Sequence, residues 1–80
     1  MKYDVYLVNE ECTKVHKGSI NECINYMRRN SNVFNQGFVY RICKAKAKTK
    51  AKGLPMVYEI GSTDDLMKFE LGVAMFERLS

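Results

Sequence analysis

The stretch "GSINECINY", residues 18–26, opens a helix, and the rest of the chain can be laid out from it. Ser19 and Glu22 have the spacing of a capping box. The serine hydroxyl accepts from the backbone three residues on, and the glutamate reaches back to the serine N–H. Behind that start, Ile20, Cys23, Ile24 and Met27 recur at i, i+3, i+4 and i+7, which marks one buried helical face. The polar run Asn30 to Asn32 ends the helix.

The same frame returns at "GSTDDLMKF", residues 61–69. Both read Gly-Ser-x-(Asn/Asp)-(Glu/Asp)-apolar-apolar-polar-aromatic. Asp64 and Asp65 stand against the positive end of this second helix. Leu66, Phe69, Val73 and Phe76 make one apolar stripe along it, and Met67, Leu71, Ala74 and Met75 make another.

Ahead of each helix lies an alternating run. In "YDVYLV" Tyr3, Val5 and Leu7 share a face, and in "FVYRIC" Phe38, Tyr40 and Ile42 do. The chain therefore reads as strand-strand-helix twice. Strands are expected near 2–8 and 13–18 and a helix over 19–30, then strands near 37–45 and 54–60 and a helix over 62–79. The units are 1–36 and 37–80 of a single 1–80 domain, the second carrying an insertion near 44–53. The expected class is α+β: ββα-ββα, a four-stranded antiparallel sheet with two helices on one face and an extended basic hairpin between the third and fourth strands. The second helix, longer and apolar on two stripes, is expected to be the more buried. Cys23 and Cys43 are expected in the core.

The insertion is "KAKAKTKAKG", residues 44–53. Lys44, Lys46, Lys48, Lys50 and Lys52 supply five of the thirteen basic residues behind the net charge of +4. Without them eight basic residues face nine acidic ones, so the positive field has one source. Three readings fit such a tract. It can be a solvated loop whose lysines stop a sheet edge from pairing with other chains. It can be an arm for phosphate backbones, where closely spaced ammonium groups release condensed counterions. It can also dock on an acidic protein. The sequence favours nucleic acid, DNA or RNA, read by its backbone, because lysine is poorly suited to bidentate base recognition. Arg41, on the strand that feeds the tract, and Tyr6, of opposite parity to Tyr3, Val5 and Leu7, are the candidate supporting residues on the outer sheet face. An aromatic there can stack a base.

No catalytic constellation is visible, and the expectation is a protein that is not an enzyme and uses no cofactor or metal. Cys12 and His16 offer at most two ligands where zinc needs three or four, and His16 reads as a surface histidine. Glu10 and Glu11 fill a turn, and no Gly-rich phosphate loop is present. Three cysteines without a C-x-x-C argue against a disulfide framework. No run approaches the ~18 apolar residues of a membrane helix, so a cytoplasmic protein with no membrane partner is expected. Met67, Leu71 and Met75, the apolar excess of the second helix, are the candidate surface for a homodimer.

The segment "VYLVNEECTKVHKGSINECINYMRR" resembles the opening of small accessory proteins of bacteriophages and Gram-positive bacteria. There a hairpin leads through Lys-Gly-Ser/Thr into a helix with a Glu-Cys pair. The resemblance covers the first third of the chain and leaves out the lysine tract. It implies a phage-type protein at work in a bacterial host cell, binding nucleic acid or inhibiting a host protein or defence complex.

Overall fold

The fold is that of a computed structural model, which describes residues 2–44 and 57–79. Its elements are β1 (Tyr3–Val8), β2 (Cys12–Gly18), α1 (Ile20–Arg29), a 3-10 segment (Ser31–Gln36), β3 (Val39–Lys44), β4 (Val57–Ile60) and α2 (Thr63–Leu79). The strands form one antiparallel sheet in the order β2-β1-β3-β4, an α+β architecture.

Both helices start as their sequences dictate. The Glu22 N–H donates to Ser19 Oγ at 3.2 Å, and the Ser19 N–H donates to Glu22 Oε1 at 2.9 Å. At α2 the Asp65 N–H donates to Ser62 Oγ at 3.0 Å, while Asp65 Oδ2 accepts from the Gly61 N–H at 3.1 Å. Each pair satisfies backbone donors that a helix start leaves without partners. Gly18 leaves room for the first cap. A Cβ there would lie 2.5 Å from Glu22 Oε1 and displace the carboxylate.

The core is one cluster: Val5 from β1, Tyr40 and Ile42 from β3, Ile60 from β4, Cys23, Ile24 and Met27 from α1, and Leu66 from α2. Val5 pairs with Ile42, Leu7 with Tyr40, and Tyr40 with Ile60, so these strand residues share a face. Both helices contribute to that cluster and therefore lie on that face. Arg28 of α1 and Glu70 of α2 form a hydrogen-bonded ion pair between them. Burying residues of this kind stabilises by about 1.5–3 kcal/mol each.

The structure departs from the sequence reading at four points, three of them corrections. First, α2 is the longer helix, but over its described side chains, 63–75, it is not the more buried. Three α1 residues are buried, against Leu66 alone among the described side chains of α2, where Phe69 and Val73 pack on the core half-buried. Second, Ser31–Gln36 forms an element that the sequence reading did not include. It winds as a 3-10 segment that packs Val33 and Phe34 on the core and ends at Gly37, whose φ of 85° suits glycine. Third, Cys43 has the opposite parity to Ile42 and is half-buried on the other side of the sheet. Fourth, His16 is half-buried, not an open surface residue. Its ring stacks on Tyr26 of α1 with centroids 4.8 Å apart.

Candidate nucleic-acid interface on the open sheet face

With both helices on one face, the other face of the sheet is left uncovered by them. Register pairing lays a row across all four strands of that face: Lys14 opposite Tyr6, Tyr6 opposite Arg41, Arg41 opposite Glu59. A second row runs from Lys17 through Asp4 to Cys43. Lys14 and Lys17 are three apart and would fall on opposite faces of a regular strand. A register shift between Val5 and Tyr6 leaves Val15 as the extra residue of a bulge, and this returns both lysines to the side of Tyr6 and Asp4.

Electrostatically, the face is mixed. The Lys14 ammonium lies 3.8 Å from Asp4 Oδ2, and Asp4 is only 8% exposed, with Oδ1 buried and without a hydrogen-bond partner among the described residues. Arg41 Nη2 donates to Glu59 Oε2 at 3.0 Å. That hydrogen bond is the chief reason the Arg41 guanidinium is held above its usual pKa. The ion pair is exposed, so it contributes little to stability, but it does neutralise Arg41. Three cations against two carboxylates make the face only weakly positive. By itself it is a poor phosphate binder.

Two of the sequence-predicted site residues, Tyr6 and Arg41, are thus brought together on the central strand pair. Lys44, exposed at the end of β3, is not with them: it stands opposite Tyr3 and has the parity of the helix-covered face. Lys46, Lys48, Lys50 and Lys52, with the hairpin expected around them, lie outside the described residues. Lys14, Lys17, Asp4 and Glu59 are members of the face that sequence reasoning missed. Glu59 was legible as an outward residue of the fourth strand. The lysines were not, because a bulge leaves no mark in residue type.

Nucleophilic chemistry finds no support here. Burial pushes the Cys23 thiol up to about 11, and Cys23 Sγ lies 3.7 Å from the Gly18 and Tyr3 carbonyl oxygens. Burial, with Asp4 nearby, also raises Cys43. Among the described residues no group of three or more His, Cys, Asp or Glu side chains is placed to hold a metal ion, and no helix is long and apolar enough to cross a membrane.

Met67, Leu71 and Met75 are exposed along one side of α2, at 56%, 64% and 61% of their full surface. No family model, curated protein or solved structure matches this chain.

Proposed function

We propose that this is a non-catalytic nucleic-acid-binding protein of ββα-ββα plan. Its lysine-rich segment, Lys44 to Lys52, runs on from the end of β3 as an arm that follows the phosphate backbone. The observation that carries the reading is the concentration of charge: five lysines in nine residues, on a chain that is otherwise nearly neutral. Tyr6 beside Arg41, on the strands next to that segment, supports it by offering a stacking surface flanked by a guanidinium. The ligand is DNA or RNA, bound without strong base preference, since a row of lysines provides point charges rather than the fork that reads guanine. The site of action is the cytoplasm of a bacterial host cell.

Fluorescence anisotropy with labelled duplex DNA, single-stranded DNA and RNA of mixed sequence tests the proposal. Binding to at least one at low ionic strength, insensitive to scrambling the sequence, is the expected result. No binding to any of them overturns it and moves the tract to an acidic groove on a host protein, the inhibitor or adaptor role.

A further inference from the structure

The exposed side of α2 is arranged symmetrically about one residue. Leu71 lies on the side of the helix away from Leu66, Phe69 and Val73, which pack on the core, and Met67 and Met75 stand one turn before and after it. Nothing lies within 4 Å of a Cβ built at Gly72, so the helix surface beside Leu71 is low and another helix can approach closely. By sequence, Asp64 comes seven residues before Leu71 and Arg78 seven after it. Seven residues fall within ~20° of two full turns, so all three positions lie along one line of the helix. The line reads acid, Met, Leu, Met, base. It is complementary to itself when reversed.

We infer that α2 pairs with α2 of a second copy in antiparallel sense, with the two-fold axis at Leu71. Leu71 meets its own counterpart there, and Met67 packs beside the partner's Met75. Position 64 of each helix, an aspartate, comes level with position 78 of the other, an arginine, and the two helix dipoles oppose. A two-fold interface uses the same patch on both subunits, so a self-complementary line on one helix is the feature such a pairing requires. A second copy also accounts for three large apolar side chains left more than half exposed on one helix, which a lone domain has no use for. The inference is independent of the nucleic-acid reading, since each copy carries its own lysine tract and the pairing involves none of it.

Sedimentation equilibrium of the full chain at ~50 µM, without nucleic acid, is the test, together with a cross-link that reports the geometry. The expected mass is twice the 9.3 kDa of one chain. Leu71→Glu, at an exposed position, should return it to that of one chain with an unchanged circular dichroism spectrum. In a Cys12→Ser background, Leu71→Cys should form a disulfide-linked dimer on mild oxidation, whereas Asn25→Cys, on an exposed position of α1, should not. A single-chain mass for the wild type, or a dimer that survives Leu71→Glu, overturns the inference. So does a Leu71→Cys chain that cross-links no faster than Asn25→Cys, and this arm still decides the matter should Leu71→Glu fail to fold.

Discussion

Tyr6 and Arg41 stand directly opposite each other on the central strands β1 and β3, on the face that the helices leave open. An aromatic ring and a guanidinium are thereby held side by side on the central strand pair of the sheet. Glu59, opposite Arg41 on β4, takes up its charge at 3.0 Å. Glu59→Gln should release Arg41. If the open face contributes to binding, this substitution tightens affinity for nucleic acid and steepens its salt dependence by up to ~1 in log–log slope. Anisotropy titrations over a range of salt measure both, and an unchanged affinity and slope would place binding elsewhere.

Tyr6→Ala should weaken single-stranded binding more than duplex binding, by about 1–3 kcal/mol if a base stacks on the ring. The comparison is made by the same titrations with matched strands. Equal losses on both ligands would mean that Tyr6 serves the sheet and not a base.

Core and surface of α2 should respond very differently. Leu66 is 2% exposed, and Leu66→Ala should lose roughly 2–5 kcal/mol. Met67→Ala, one position along, should change the stability of the monomer by less than about 0.5 kcal/mol. Phe69, half-buried and edge-on to Tyr58 with centroids 5.1 Å apart, should fall between. Urea unfolding at low protein concentration reads all three.

The two helix caps should act independently. Ser19→Ala and Ser62→Ala should each cost about 1 kcal/mol, and the double variant should show their sum, since they serve different helices. Glu22, exposed, has its carboxyl held below the usual 4.5, chiefly by the Ser19 backbone N–H. A lowered folded value means that its contribution is complete above pH ~4.5 and disappears as pH falls through the folded value. Stability of the wild type relative to Glu22→Gln, followed over that acid range, should show this loss. At the alkaline end the signs reverse. Cys23 is raised to about 11 and Tyr40 to about 12 by burial, so their contributions are complete below their ordinary values of 9.0 and 10.0 and are lost as pH climbs through the folded ones.

Much of the fold could be read from local signals. Ser19 with Glu22 and Ser62 with Asp65 announce helix starts, because capping needs only residues a few positions apart. Strand parity put Tyr6 and Arg41 on the outer face correctly, but their pairing depends on strand order, which no local pattern encodes. The burial of α2 misled because two stripes of similar apolarity compete for one sheet, and only the packed structure shows that Leu66, Phe69 and Val73 win it. Lys14 and Lys17 were missed for the bulge at Val15, and His16 for its ring partner ten residues away in the chain.

The central claim is that Lys44 to Lys52 contact phosphates, and the salt dependence of binding tests it most directly. Replacing Lys46, Lys48 and Lys50 with Gln keeps length and polarity while removing three positive charges. The log–log slope of affinity against salt should be about −0.9 for each duplex phosphate neutralised, and in the triple variant it should flatten by up to ~3, with thermal unfolding unchanged. A wild-type slope near zero, or a triple variant that keeps the wild-type slope, would contradict the account.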